Sequence, residues 1–306
     1  ESSHFVRDAI DGRLRVAFED AGAPAPHLLA YGYGGSTVSD SGSLPGLGTA
    51  SAPAHDGRFS AWGSTFGSWG DTDGDGNAAG QHRSTGGFLA GVDGLVAPRL
   101  RLGILAGYSH DRFSADGLDA SGSSDNYHLG VYGGTQRGAL GLRVGAAYSW
   151  HDVSTRRAVA FSGFADRLTA DYDAGTFQAF GELGYRIDTA AASFEPFANL
   201  AYARLHTDGF TEQGGAAALS SSSRNTDTTF TTLGLWATTQ VDLGRASATA
   251  RGMIGWRHAY GNTTPRTTLA FSGGDAFTVA GVPIAEDAAV LRTGLDFAVG
   301  RDATFR

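Results

Sequence analysis

Few side chains in this sequence are spaced for chemistry. The stretch "DTDGDGN" sets Asp71, Asp73, Asp75 and Gly76 at the alternate positions of the first half of a calcium loop. The twelfth position of such a loop needs a bidentate glutamate, and here it is His82, so the expected metal is none. His151 beside Asp152 and His206 near Asp208 are the nearest approach to a hydrolytic dyad. They fall at the ends of patterned segments, where polar rim residues are expected. No H-E-x-x-H pair and no G-x-S-x-G elbow occurs, and the glycine-rich stretches lack a strand–loop–helix setting for phosphate. No catalytic residue and no cofactor is expected, and the chain is not read as an enzyme.

Composition narrows the class. The 306 residues contain no Cys, which excludes a disulfide framework and thiolate metal sites. A net charge of −8 without a basic run argues against a nucleic-acid partner. Forty-six glycines beside 11% aromatics point to all-β architecture with many turns. No stretch approaches the ~18 apolar residues of a membrane helix, but a transmembrane barrel exposes only alternate residues to lipid.

That alternation runs from about residue 58 onward. In "LGLRVGAAYSWHD", Leu140, Leu142, Val144, Ala146, Tyr148 and Trp150 share one face. Gly141, Arg143, Gly145, Ala147, Ser149 and His151 share the other. The same division recurs around Arg101, Glu182, Arg186, Arg251, Arg257, Arg292 and Asp296. A soluble sandwich would bury those charges at high cost, whereas a water-filled lumen solvates them. Ten strands are expected, near 58–69, 84–95, 99–113, 125–135, 138–152, 174–187, 193–206, 228–242, 245–260 and 287–299. Short turns at 97–99, 136–138, 188–193, 243–245 and 300–302 alternate with longer connections at 70–83, 114–124, 153–173, 207–227 and 261–286. Trp69, Tyr108, Tyr148, Trp150, Tyr202, Trp256 and Tyr260 gather at the long-connection ends as an aromatic girdle.

Ahead of the strands, residues 1–20 carry Val6, Ile10, Leu14, Ala17 and Phe18 at helical spacing, with Arg13 among the charges. With lipid outside and water inside, no apolar core is expected for this helix, so it should lie in the lumen and pair its charges with the wall. Residues 21–57 form a Gly/Ala/Ser/Pro-rich linker. At the far end, Leu291–Val299 reads as a tenth strand and residues 303–306 as the opening of an eleventh. Ten strands and a stub leave an unsealed edge, so Arg306 is expected to interrupt the barrel.

The pieces "RFSAWGSTFGSWG", "STGGFLAGVDGL", "LRLGILAGYSH", "SSDNYHLGVYGG", "TFQAFGELGYRID", "FEPFANLAYARL" and "ATARGMIGWRHAYG" together resemble the translocator domain of autotransporters, the type V secretion system of Gram-negative bacteria. The resemblance spans residues 58–306. It implies a transmembrane antiparallel β-barrel, twelve-stranded in the family, with an N-terminal α-helix in its lumen and Asp93 on the lumen face as well. It implies insertion in the outer membrane, among lipid and lipopolysaccharide, with the barrel-assembly machinery and periplasmic chaperones as partners. It also implies export of the protein's own N-terminal passenger by a monomer. Some members cut their helix at an asparagine, and the first Asn here is Asn77, so that route is not expected. The connection 261–286 could form a hairpin over the mouth that guides the passenger. The competing readings are a passive pore, a barrel hydrolase and a soluble β-sandwich.

Overall fold

The structure, a computed structural model, describes residues 2–19, 51–53, 59–72, 79–115, 117–242, 247–281, 283–299 and 303–305. The expected linker apart from residues 51–53, the turns at 243–245 and 300–302, and Asp73, Asp75 and Gly76 lie outside the described residues; 51–53 are strand, paired to residues 60–62, rather than linker. One helix, α1 (Ser2–Glu19), precedes the strands β1 (Ser51–Pro53), β2 (Phe59–Thr72), β3 (Gln81–Ala97), β4 (Leu100–Ala115) and β5 (Ala120–Arg137). Next come β6 (Leu140–Phe161), β7 (Phe164–Tyr185), β8 (Ile187–Asp188), β9 (Ser193–Thr207), β10 (Phe210–Thr211) and β11 (Leu219–Ser221). The chain continues through β12 (Arg224–Asp242), β13 (Ser247–Gly261), β14 (Arg266–Phe271), β15 (Phe277–Ala280), β16 (Asp287–Val299) and β17 (Ala303–Phe305).

The large sheet is antiparallel throughout and runs β1-β2-β3-β4-β5-β6-β7-β9-β12-β13-β16-β17, with β8 paired to β9. Its ten long strands stand where the alternation places them, and β17 is the expected stub. Among the described residues the path ends at β1 and β17, which are not paired with each other.

Two of the expected long connections are strand instead. Residues 114–124 and 153–173 extend β4–β5 and β6–β7 into tall hairpins. Beyond the girdle most positions are exposed or half-buried, with Leu168 and Ala170 buried, so the period-two apolar signal fades while backbone pairing continues. The β6–β7 hairpin closes at Ser162–Gly163, where Gly163 takes φ 81°, and Phe161 stacks on Phe164 across it at 4.9 Å. At the opposite end Gly138, at φ 61°, makes the short turn from β5 to β6.

Residues 207–227 and 261–286 also hold strands, which form a second sheet in the order β10-β11-β14-β15. The hairpin expected from 261–286 is β14–β15. Arg157 on β6 donates to both Glu212 carboxylate oxygens at 2.8 and 2.6 Å. Together with the Thr169↔Gln213 bridge, that ties the small sheet to the tall hairpin.

The two faces of the large sheet differ chemically. Outward lie Ile104, Val131, Ile254 and Leu291, at 56, 57, 64 and 63% exposure. A soluble protein rarely shows so wide an apolar surface. The inner face is built round α1, which packs on β3, β5, β6 and β7.

Candidate functional site: the helix-filled lumen

A stretch of about twenty residues has no use for being buried on every side unless its surroundings match it. In α1, residues 5–16 are all buried, charged ones included. Val6, Ile10 and Leu14 are fully enclosed. Contrary to the expectation of a purely wet lumen, they meet an apolar core inside the sheet. It consists of Trp62, Phe66, Leu89, Leu105, Tyr132, Ala147, Phe180 and Ala201, with Phe5 and Ala9 of the helix and Phe18 packed against it. Phe5 stacks on Phe66 at 4.4 Å. Ala17 and Phe18, at the other end of the stripe, are half-buried.

Charges fill the remaining contacts. Arg13 grips Asp93 with two hydrogen bonds, Nε to Oδ2 at 2.6 Å and Nη2 to Oδ1 at 2.9 Å. Arg101 donates to the same carboxylate. The Tyr132 hydroxyl donates to Asp93 Oδ2 at 2.9 Å and itself accepts from Trp62 Nε1 at 2.6 Å. Thus Asp93, fully buried at its side chain, receives donors from the helix and from two wall strands, β4 and β5. Arg15 bridges two acids, bonding Glu182 on β7 and Glu195 Oε1 on β9, the latter at 2.6 Å. Arg143 Nη1 donates to both acids as well, at 3.2 and 2.7 Å. The Arg15 guanidinium lies over Phe197 and Trp236 at 5.4 and 4.9 Å. On the opposite wall Arg292 Nη2 donates to Asp8 Oδ1 at 2.7 Å. Buried ion pairs contribute little net stability over apolar packing, but removing one partner is costly. The pairs therefore fix which helix fits and in what register.

Of the nine residues expected on the inner face, Asp93, Arg101, Arg143, Glu182 and Arg292 meet α1 or its partners. Arg257 is half-buried with its guanidinium over Phe230, and Arg251 is half-buried on β13. Arg186 sits apart, bonding Asp188 at 2.7 Å and Ser193 at 3.2 Å beside the short turn 189–192. Asp296 stands opposite Thr249 in register, with its side chain outside the described residues. Sequence reading passed over Glu195, whose inward position follows from the outward Phe194, Ala198 and Leu200 on the same strand. It also passed over the aromatic and aliphatic exceptions on the polar face, Phe66, Leu89, Leu105 and Phe180. Such exceptions are the signature of helix contacts.

The girdle residues Trp69, Tyr148, Trp150, Tyr202, Trp256 and Tyr260 face outward and are exposed. Tyr108 is half-buried because it packs between Phe88 and Tyr127. Tyr127 and Phe177 belong to the same belt. Several polar tips find carboxylates on the next strand, such as Tyr202 to Asp227 at 2.6 Å and Trp256 to Asp287 at 2.9 Å.

Of the two His/Asp pairs, one comes together, at the surface, and the other does not. His151 faces inward, between Asn126 and Thr176, while Asp152 faces out. His206 meets Asp208 at 3.0 Å and Asn225 at 3.0 Å on an exposed surface. His128 lies between the buried hydroxyls of Ser109 and Ser149, a network closed by Asn126. His82 pairs with Asp71 across β2–β3, which spends the first candidate calcium ligand on an imidazole.

An antiparallel sheet with an apolar outer face, an aromatic belt and its own N-terminal helix packed inside defines an outer-membrane barrel of the translocator class. Residues 61–306 match the family model described as the autotransporter beta-domain, and the chain belongs to that family. Two extracellular serine proteases of Serratia marcescens are similar to it, one 42% identical over 245 residues and the other 40% over 243. Each alignment covers 79% of this chain and 23% of the relative, so the chain spans about a quarter of those proteins' length. In fold it resembles the translocator domain of NalP from Neisseria meningitidis, with a TM-score of 0.56 at 14% identity, covering 100% of this chain and 97% of that one. It also resembles the beta domain of the Bordetella autotransporter BrkA, with a TM-score of 0.54 at 19% identity, covering 78% and 98%. It is a translocator domain of the bacterial outer membrane.

Proposed function

We propose that this domain carries its protein's N-terminal passenger across the outer membrane and is then closed by α1. The short turns, at Gly138 and at residues 189–192, lie in the periplasm. The tall hairpins and the small sheet stand on the cell surface. One observation carries the reading: α1 is enclosed on all sides and ion-paired to opposite walls through Asp93, Glu182, Glu195 and Arg292. A passive pore has no use for such a plug. The direction of α1 supports the same path. Phe18 lies against Gly134 near a periplasmic turn, and Phe5 lies deeper toward the surface on Phe66, so chain preceding α1 emerges outside.

The domain itself contributes a passage and catalyses nothing; any hydrolytic activity resides in the passenger. A monomer suffices, delivered by periplasmic chaperones and inserted by the barrel-assembly machinery among lipid and lipopolysaccharide. The hairpin β14–β15 flanks the mouth and guides the emerging chain. Deleting 267–284 in the intact protein should slow appearance of the passenger at the surface, read by added protease, while the barrel stays folded on an unheated gel. Export at the normal rate would remove the guiding role, and a folded barrel that never exposes its passenger would sink the export reading.

A further inference from the structure

Where the chain leads into α1, the inner face holds polar groups that are buried and have nothing to bond. At this end α1 rests on two rows of the wall. Phe5 stacks on Phe66, which stands in register with Gly87 and Ser109. His4 meets Phe230 edge-on at 5.8 Å, and Phe230 stands in register with Ala201 and Phe180. The next inward row toward the surface on the first wall is Ser68, Thr85 and Asp111. On the second wall it is Thr228, Ala203 and Gln178. In these two rows Thr85 Oγ1, Asp111 Oδ1 and both amide atoms of Gln178 are buried without a hydrogen-bond partner. Gln178 is 2% exposed and Thr85 5%.

A buried amide left unpaired forfeits its whole desolvation penalty, so it belongs to an arrangement in which a partner arrives. The three groups share one complement. A carboxamide donates to a carbonyl and accepts from an N–H, a hydroxyl does both, and a carboxylate oxygen accepts from an N–H. The backbone of an extended peptide offers those groups on both its edges at every residue.

We propose that Gln178, Thr85 and Asp111 form a main-chain clasp that holds the extended segment leading into α1 from the surface. Because it reads peptide groups rather than side chains, it accepts any sequence, as a conduit must. The inference rests on the export reading above and places a defined contact on its path.

The test uses the intact protein in cells. A photoreactive residue at position 178 should crosslink to the segment immediately upstream of α1 after export is complete. Gln178→Leu should raise cleavage of that segment by added protease about fivefold, the effect of one hydrogen bond, with the barrel still folded. Should that variant misfold, Thr85→Val reads the opposite wall in the same assay. Crosslinks confined to barrel strands would overturn the clasp. So would cleavage in Gln178→Leu that is unchanged or reduced, as relief of a merely uncompensated amide would give. Either result alongside normal export refutes the clasp alone, whereas a passenger that never reaches the surface refutes the transit reading itself.

Discussion

Replacing Arg13 by leucine isolates the contribution of one ion pair to keeping α1 in place. The change removes two charge-assisted hydrogen bonds to Asp93 and keeps most of the side chain's bulk. Breaking a buried pair by deleting one partner costs about 3–5 kcal/mol when the other charge is stranded. Asp93 is not stranded, because Arg101 and Tyr132 still donate to it. The expected loss is therefore about 2–3 kcal/mol, near the strength of a hydrogen bond to a charged group. Every 1.4 kcal/mol is tenfold, so the undocked fraction of α1 should rise about 30- to 150-fold. Two assays of the intact protein read it. Open-channel bursts in planar bilayers should lengthen or multiply, and amides of α1 should exchange faster while strand amides keep their protection. Unchanged conductance together with unchanged exchange would refute the idea that the Arg13–Asp93 pair holds the helix.

Two further substitutions test the walls from opposite sides. Ile104→Arg puts a charge on the outward face midway between Leu100 and the girdle residue Tyr108, where it should cost about 2–4 kcal/mol and lower the yield of inserted barrel on an unheated gel. Insertion at the normal level would mean that this face does not meet lipid. Gly91→Val would bring a Cβ to 2.6 Å from the Trp62 ring. Overpacking of this kind costs about 1–3 kcal/mol, and the displaced Trp62 should release Tyr132 and raise helix exchange. Retained helix protection would show that Trp62 does not support Asp93.

Much of this was readable from residue order because lipid and water sort side chains strand by strand. Leu140 to Trp150 and Leu100 to Tyr108 alternate so plainly that the ten strands follow, though not their far boundaries. The tall hairpins did not show, since residues 153–173 rise above the bilayer and neither face is held to one polarity. Nor did the core inside the sheet. Leu89, Leu105 and Phe180 interrupt a face that is otherwise small and polar, and such exceptions acquire meaning only once Val6, Ile10 and Leu14 lie against them. Arg186 keeps the inward parity, half-buried between exposed Tyr185 and Ile187, but its bonds go to Asp188 and Ser193 at the turn. The charged partners of α1 were legible as a set, but which acid meets which arginine depends on how the sheet curls.

That curl has a consequence of its own. Within eight residues of one helix, Asp8 is tied to β16, Arg13 to β3, and Arg15 to β7 and β9. These strands are far apart along the sheet, whose two ends are not paired with each other among the described residues. The helix thus works as a mandrel: its girth and the reach of its arginines and aspartates set the radius to which the wall is wound. Shortening such an arm, as Arg15→Lys would, alters a gauge rather than a lock, and the bore of the tube should follow.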